Sequence, residues 1–475
     1  MGLRSILISF LQKIIGFSES VIGDIKGVRK KDTFAQNFAF VFTGNFLFIV
    51  IQLISAPILS RIYSPEAYGL FGIFNAIITN VAMIATLAYP NALILPKEKS
   101  KFHQLMQLSF ILVLVSSLFS FMIILLFGDT ISEFIRAGKY RFIIYLIPPG
   151  VLLVGTNQIL SQWITREKAF KRSLKTGPAT SLTIKTTNIL FGLATNGAAF
   201  GILIIDFIGR ILSFFLNFFY VLDGKKNAFF QKPIKKDLIE IAKEYKRFPK
   251  YVFPGNYVNM FSSQMPIYFL SLYFGNIVLG YFTFAASLLD VPMRLLANAV
   301  APVFYQKANE IHHTRPHDLK NICIKLYYRL LIFGILPFSF IAIFGDKIFE
   351  FAFGLQWGNA GTFAGVMSFY YFFRLISSPL SSVFNVLGKE RLLFAFQNLF
   401  FIVRVLALGI GVYVFNDPFL TVLIFSLTSG LAYILLSIMV FRLVKVRLNK
   451  VIFYTLAILI FGFGLILILR FLFFI

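Results

Sequence analysis

Long apolar runs separated by short polar turns dominate the pattern of this chain. Four of the runs, 38–60, 105–127, 418–441 and 451–469, contain no charged residue. Each is close to the ~20 residues that a helix needs to cross a bilayer. Strands of a membrane barrel would instead alternate over ~10 residues. The pattern predicts thirteen transmembrane helices, at 38–60, 70–93, 105–127, 142–164, 178–194, 198–221, 250–273, 277–303, 323–344, 362–387, 392–414, 418–441 and 451–472.

An internal repeat divides these spans into two halves. The segment Phe127–Phe134 (FGDTISEF) returns as Phe344–Phe351 (FGDKIFEF), and both copies follow a long apolar run. Each half contains an even number of spans, so both enter the membrane from the same side and the repeats are parallel. We therefore predict an all-α integral membrane protein with two parallel six-helix lobes around a central cavity, plus one extra C-terminal transmembrane helix.

The predicted organisation has five parts. A basic linker, rich in lysine, connects the two lobes, and Pro233 can begin an amphipathic helix within it. The parts are a cytoplasmic or interfacial N-terminal segment (1–37), an N-terminal lobe (38–221), the linker with its amphipathic helix (222–249), a C-terminal lobe (250–441), and a basic loop with the additional helix (442–475).

Composition and charge agree with a membrane protein. Hydrophobic residues make up 58% of the chain and charged residues 14%, whereas soluble domains carry about 25%. The net charge of +25 invites a nucleic-acid interpretation, but the basic residues concentrate on alternate turns between spans. The opposite turns hold only five, Arg61, Arg136, Lys139, Arg141 and Lys347. This bias predicts a cytoplasmic N-terminus, contact with membrane lipids and no nucleic-acid partner.

Charged residues inside the spans are the first candidates for function, because a bilayer tolerates them only at a cavity or beside a partner. Two pairs stand four residues apart on one helix, Asp206 with Arg210 and Asp290 with Arg294. Three basic residues, Lys185, Arg374 and Arg404, have no acid in the same helix. Five basic and two acidic residues give the interior an excess of +3, which suits an anionic substrate, and arginine binds phosphate in pairs of hydrogen bonds.

Polar stripes mark the first two helices of each half. The sharpest stripe joins Ser287, Asp290, Arg294 and Asn298 on the eighth span. If the halves are equivalent, the four helices meet near the pseudo-twofold axis and line one cavity. The other interpretation is that small polar side chains hold the helices together by hydrogen bonds. The remaining stripe residues are Asn45, Gln52 and Ser55 on the first span, Asn75, Thr79 and Thr86 on the second, and Asn256, Asn259 and Ser263 on the seventh.

Catalytic and metal-binding motifs are missing from the sequence. There is no GxSxG, Walker or HExxH motif and no paired CxxC, so we expect neither enzymatic activity nor a cofactor or metal. His312, His313 and His317 are interpreted as parts of a solvated loop rather than as metal ligands. Trp163 and Trp357 fall at span ends and are interpreted as anchors at the membrane interface.

Three segments resemble a known family. They are residues 57–69 (PILSRIYSPEAYG), 89–96 (YPNALILP) and 377–389 (SSPLSSVFNVLGK). They resemble the Wzx-type polysaccharide or O-antigen flippases of the multidrug/oligosaccharidyl-lipid/polysaccharide exporter superfamily, over about residues 38–441. The resemblance implies two six-helix lobes around a cavity and a substrate carried on polyprenyl pyrophosphate. That family usually has twelve spans, and the thirteenth span here departs from it.

These observations lead to a hypothesis of a flippase that moves a lipid-linked oligosaccharide from the inner to the outer leaflet of a bacterial cytoplasmic membrane by alternating access. Arg294, helped by Lys185, Arg374 and Arg404, would neutralise phosphate, Arg210 would line the same cavity, and Asp206 or Asp290 would take a coupling ion. A polysaccharide polymerase and other envelope-assembly proteins are candidate partners. The alternatives are a drug/cation antiporter of the same superfamily, a membrane glycosyltransferase or polymerase, and a structural subunit of a synthesis complex.

Overall fold

The computed structural model describes residues 33–167, 170–222, 234–294 and 298–474, and no strand occurs among them. The predicted all-α membrane class is confirmed. Of the predicted N-terminal segment, residues 1–32 lie outside the described part of the chain, as do residues 223–233 of the linker.

The predicted N-terminal lobe and the linker contain seven main helices among the described residues. Short 3₁₀ segments connect some of them, including Tyr89–Ile94 after the second helix. The helices are α1 (Thr33–Ile62), α2 (Pro65–Thr86), α3 (Lys99–Phe134), α4 (Ile147–Arg166), α5 (Phe170–Ala194), α6 (Ala199–Leu222) and the linker helix α7 (Lys235–Glu244).

The predicted C-terminal lobe and the last helix contain eight further main helices among the described residues. A short helix, Ser382–Val386, precedes the Gly388 turn. The main helices are α8 (Phe253–Phe274), α9 (Asn276–Pro292), α10 (Asn298–Thr314), α11 (Leu319–Phe353), α12 (Gly358–Leu380), α13 (Glu390–Gly409), α14 (Pro418–Leu443) and α15 (Leu448–Phe474). The additional C-terminal helix α15 packs against α11, where the Tyr327 hydroxyl and Thr455 Oγ1 are 3.1 Å apart.

The described residues of the thirteen predicted spans are helical apart from short turns, such as the left-handed turn at Leu87 and Ala88 that ends α2 within the predicted span 70–93. Seven described helical stretches are long and apolar enough to cross a membrane by length and composition. Of the predicted span 277–303, residues 277–292 lie in α9 and residues 298–303 in α10, whereas residues 295–297 between them lie outside the described residues. Whether the stripe from Ser287 to Asn298 follows one helix therefore stays a prediction.

The prediction that all three histidines lie in a solvated loop was partly wrong. The helix α10 continues to Thr314, so His312 and His313 lie in its last turn and only His317 follows it. Among the described residues no group of His, Cys, Asp and Glu could hold a metal ion.

A close crossing of α2 and α9 joins the two lobes at one end of the bundle. A Cβ on Gly69 would lie 1.9 Å from the Asn276 carbonyl oxygen, and a Cβ on Gly280 would lie 1.8 Å from that of Pro65. The lack of a side chain at both glycines therefore lets the backbones touch. We call this end, with the turns at Ser64, Gly275 and Gly354, the sealed end.

Trp357 strengthens the sealed end instead of anchoring the protein at the membrane interface. Its side chain is completely buried, and its Nε1 donates a 2.7 Å hydrogen bond to the Ser60 carbonyl oxygen on α1. Its ring lies 4.1 Å from that of Phe284, centroid to centroid. Trp163 is buried as well, against Phe102, so the interpretation of both tryptophans as interfacial anchors was wrong. Sequence position near a span end does not show whether an aromatic ring faces lipid or another helix.

Trp357→Ala is expected to destabilise the fold by about 3–5 kcal/mol, because it removes a large buried side chain and leaves a cavity. Trp357→Phe is expected to cost only about 1 kcal/mol. The reason is that Gln356 also donates to the Ser60 oxygen, at 2.8 Å, and continues to do so. Thermal unfolding of the purified proteins in detergent measures the stability of both variants. Equal losses of stability in the two variants would contradict this account.

The opposite end, which we call the basic end, carries the linker helix α7. Lys101 at the start of α3 pairs with Glu244 at 3.0 Å, and Tyr89 donates to the Ala242 carbonyl oxygen at 3.2 Å. Ile241 is buried on the face that α7 turns toward the lobe. The structure thus places a helix in the segment where the sequence predicts one, docked on the N-terminal lobe.

Candidate functional site

Charged residues of the N-terminal lobe form the first half of the site. Arg210 Nε donates a 2.7 Å hydrogen bond to Asp206 one turn earlier on α6. The same guanidinium also donates through Nη2 to the Asn75 side-chain oxygen on α2. The two helices therefore hold Arg210 from two sides, and Asp206 keeps 27% of its side-chain surface exposed.

Charged residues of the C-terminal lobe form the second half. Asp290 on α9 lies 3.5 Å from Arg294 and 3.4 Å from Arg374 on α12, so one carboxylate faces two guanidinium groups. Arg374 also lies over the ring of Tyr371, 5.6 Å from its centroid. Arg294 is the most exposed of these ionised side chains, at 42%.

Lys185 on α5 lies within electrostatic range of both halves. Asp206 of its own lobe attracts its ammonium group, and Arg294 of the other lobe repels it. We call the six residues Lys185, Asp206, Arg210, Asp290, Arg294 and Arg374 the central charged cluster. They come from helices of both lobes, so a relative motion of the lobes changes the cluster.

The electrostatics of the central charged cluster favour an anion. Four basic side chains face two carboxylates, which leaves an excess of +2, and the sequence prediction of +3 differs because it included Arg404. Partly exposed arginines next to low-dielectric walls attract phosphate or carboxylate groups strongly, because few water molecules compete there.

Arg404 does not join the cluster. Its side chain is 1% exposed and donates hydrogen bonds to Ser429 at 3.0 Å and Ser262 at 3.1 Å. Its guanidinium lies over the ring of Phe400, 3.9 Å from the centroid. This arginine therefore ties α8, α13 and α14 together inside the C-terminal lobe, and we assign it no contact with substrate.

Arg404→Ala is expected to destabilise the protein by about 2–4 kcal/mol, through lost packing of its long stem and lost hydrogen bonds. Transport per folded molecule should not change. Arg404→Met, which fills most of the space, should recover part of the stability. Thermal unfolding and a transport assay on the same preparations separate the two effects. If a fully stable Arg404→Met protein loses transport, the account is contradicted and Arg404 belongs to the substrate site.

The polar stripe residues have mixed positions. The carbonyl oxygen of the Gln52 side chain is buried in α1 without a hydrogen-bond partner among the described residues. Asn256 and Asn259 are exposed on α8, and Ser287 donates to its own helix at Phe284. The side chains of Asn45 and Asn298 lie outside the described residues.

The sequence analysis missed two groups of polar residues that are candidates for function. Asn80 on α2 is buried and donates to the Tyr268 hydroxyl at 2.8 Å and to Gln264, both on α8, so it joins the lobes below the sealed end. The second group lines a cleft of about 530 Å³ between α4 and α6 of the N-terminal lobe. The spacing of amides on α4 could have revealed it. We call it the amide cleft, lined by Asn91, Asn157, Gln158, Ser161, Gln162 and Ser213, with Asp206 and Arg210 in its wall.

Solved structures share this fold at low sequence identity. The lipid II flippase MurJ in an inward closed conformation has a TM-score of 0.69 and 16% identity, over 91% of this chain and 92% of that one. An inward-facing multidrug resistance MATE family transporter of the MOP superfamily has a TM-score of 0.63 and 14% identity, over 85% and 94%. An outward-facing MATE family transporter of that superfamily has a TM-score of 0.56 and 12% identity, over 88% and 97%.

Sequence comparison identifies the family. No curated protein sequence matches the chain significantly. The family described as "Polysaccharide biosynthesis protein" matches residues 58–361, which is more than half of the chain and includes all of the central charged cluster except Arg374. The chain therefore belongs to the polysaccharide biosynthesis protein family, and it is a multi-pass helical membrane protein with the fold of MurJ and the MATE transporters.

Proposed function

We propose that this protein is a flippase that moves a polyprenyl-pyrophosphate-linked oligosaccharide from the inner to the outer leaflet of a bacterial cytoplasmic membrane. The observation that carries the proposal is the central charged cluster, a net positive group built by both lobes within a membrane-embedded bundle. A pyrophosphate is the part of such a substrate that a lipid environment excludes most strongly, and paired arginines are its best ligands.

Exchange of ion-pair partners gives a simple binding mechanism. In the empty protein, Asp206 and Asp290 neutralise part of the positive charge and hold the arginines in place. The incoming pyrophosphate takes hydrogen bonds from Arg294, Arg210 and Lys185, so the positive charges gain a partner without new desolvation. The polyprenyl tail stays in the lipid, so no free energy is needed to move this apolar chain into a polar cavity.

The sealed and basic ends supply the two gates of alternating access. With the basic end in the cytoplasm, as the charge bias predicts, the present conformation is sealed toward the outside. Rocking of the lobes would part α2 from α9 at Gly69 and Gly280 and open the outer side.

The energy source is a separate part of the proposal. Protonation of Asp206 or Asp290, or binding of a sodium ion, would release the paired arginine for phosphate and so couple an ion gradient to transport. Transport that ignores both pH and sodium gradients would remove the coupling role from these carboxylates and leave the flippase proposal intact.

The rival functions fit the cluster less well. A drug/cation antiporter needs a site that attracts organic cations, and an excess of +2 repels them. A glycosyltransferase or polymerase needs carboxylates arranged for catalysis, whereas Asp206 and Asp290 are held in ion pairs on opposite lobes.

Reconstitution in vesicles tests the proposal. Purified protein is incorporated with a fluorescent polyprenyl-pyrophosphate oligosaccharide, and a membrane-impermeant reagent quenches the lipid in the outer leaflet. If the lipid of the inner leaflet becomes accessible to the reagent only when the protein is present, the result supports the proposal. If the protein moves an organic cation and not the glycolipid, the antiporter alternative replaces it.

A further inference from the structure

Besides the central charged cluster, the N-terminal lobe contains polar side chains that the phosphate chemistry does not use. They line the amide cleft, whose volume of about 530 Å³ is within the ~300–1,000 Å³ of pockets that enclose small organic ligands. Its lining is unusual for a membrane-embedded helix, because uncharged amides and hydroxyls replace the apolar side chains expected there.

The helix α4 supplies most of these groups. Asn157, Gln158, Ser161 and Gln162 follow at spacings that place them on adjoining faces of one helix. Asn217 on α6 donates a 3.0 Å hydrogen bond to the Asn157 side-chain oxygen and fixes its orientation. Gln158 and Gln162 form no side-chain hydrogen bond with any described residue. Both side chains are half-buried, so their amide groups are open to a polar ligand in the cleft.

The position of the cleft relates it to the phosphate site. Asp206 and Arg210 form part of both, so the cleft begins at the central charged cluster. Gln158 and Gln162 lie eight and four residues before the end of α4 at Arg166, which is the basic end. At a rise of about 1.5 Å per residue, the amides extend from the charged pair toward the basic end.

We propose that the amide cleft binds the sugar part of the substrate while Arg210 and its neighbours bind the pyrophosphate. This inference rests on the proposed function and names a second subsite for the same substrate. Neutral sugars present hydroxyls that both donate and accept hydrogen bonds, and amide side chains complement both. Val154, Ile184 and Pro90 add apolar surface to the wall, against which the C–H face of a sugar ring can pack.

The chemistry of the cleft also restricts the ligand. Apart from Asp206 and Arg210, which pair with each other, its lining carries no charged side chain. Recognition therefore depends on hydrogen bonds, and a glycan of neutral sugars fits better than a bare inorganic anion. The cleft selects for a lipid that carries its glycan and against one that does not.

Affinity for two lipids tests this proposal. The probes are polyprenyl pyrophosphate without a glycan and the glycan-bearing polyprenyl pyrophosphate extracted from cells that produce the protein. Each is titrated against wild-type protein in detergent. We expect the glycan-bearing lipid to bind about tenfold more tightly, since several hydrogen bonds add to the phosphate contacts.

The double variant Gln158→Ala/Gln162→Ala is expected to lose this tenfold difference and to bind the bare lipid like wild type. Gln158→Leu/Gln162→Leu keeps the side-chain volume and serves if the alanine variant is unstable. Asn321→Ala, which removes an exposed amide at the start of α11, is the matched control and should keep the difference.

The outcomes separate the two proposals. If the double variant keeps the tenfold difference in affinity, or if it binds both lipids equally more weakly than wild type, the proposal of a sugar subsite is wrong. If wild-type protein binds both lipids with one affinity, the sugar subsite is also wrong while the phosphate site stands. If wild-type protein binds neither lipid, the proposed function itself fails.

Discussion

Arg294→Ala should reduce transport of the lipid-linked oligosaccharide about 10- to 100-fold with little effect on stability. The side chain is 42% exposed and shares Asp290 with Arg374, so the fold does not depend on it. A charge-assisted hydrogen bond to phosphate contributes about 1.5–3 kcal/mol, which corresponds to that range. The loss would be measured as the initial rate of glycolipid movement in vesicles, at equal amounts of inserted protein.

Two further variants make this prediction specific. Arg294→Lys keeps the charge but loses the planar pair of donors, so we expect an intermediate rate. Arg315→Ala removes an exposed arginine beyond α10 at the basic end and should transport like wild type. A wild-type rate for Arg294→Ala would remove Arg294 from the substrate site.

Gly280→Ala should have the second large effect, because it prevents close approach of the lobes at the sealed end. The added Cβ would lie 1.8 Å from the Pro65 carbonyl oxygen, whereas ordinary C···O contacts are about 3.3–3.6 Å. The helix backbones must separate, at a cost near the upper end of overpacking, about 3 kcal/mol. That energy shifts the equilibrium between the sealed and open conformations about 100-fold toward the open one.

The effect can be measured by chemical labelling as well as by transport. Thr283→Cys in a Cys323→Ala background places a thiol beside Gly72 at the crossing, where the native hydroxyl oxygen is buried. We expect an impermeant thiol reagent added outside to label it slowly, and much faster when Gly280→Ala is added. Gly409→Ala, whose Cβ would meet nothing within 4 Å, is the matched control. Equal labelling in all three proteins would show that the crossing does not seal the outer side.

Much of the fold could be predicted from hydrophobic pattern alone, because a bilayer allows few alternatives to a helix for long apolar segments. The sequence also indicated most of the charged residues that the structure brings together in the central charged cluster. Spacing of four identified Asp206 with Arg210 and Asp290 with Arg294 as pairs, and both are ion pairs in the structure. The cost of burying charge made Lys185 and Arg374 candidates, and the structure places both near these pairs.

The sequence does not show which polar side chains face the site and which face a neighbouring helix. Arg404 met the same sequence criterion as Arg374, yet its side chain contacts serines and an aromatic ring inside one lobe instead of the central charged cluster. Which helix face meets a neighbour depends on packing between distant segments, and one sequence does not contain that information. The same reason explains why Asn80, Gly69 and Gly280 were not identified as contacts between the lobes.

The central claim is that this protein moves a lipid-linked glycan across the membrane. It is tested most directly by the leaflet position of polyprenyl-linked glycan in cells depleted of the protein, probed with an externally added glycan-cleaving enzyme. We expect the intact lipid-linked glycan to accumulate on the inner face, protected from the enzyme until the cells are permeabilised. If the glycan still reaches the outer face at the normal rate, or is never assembled, the protein is not its flippase.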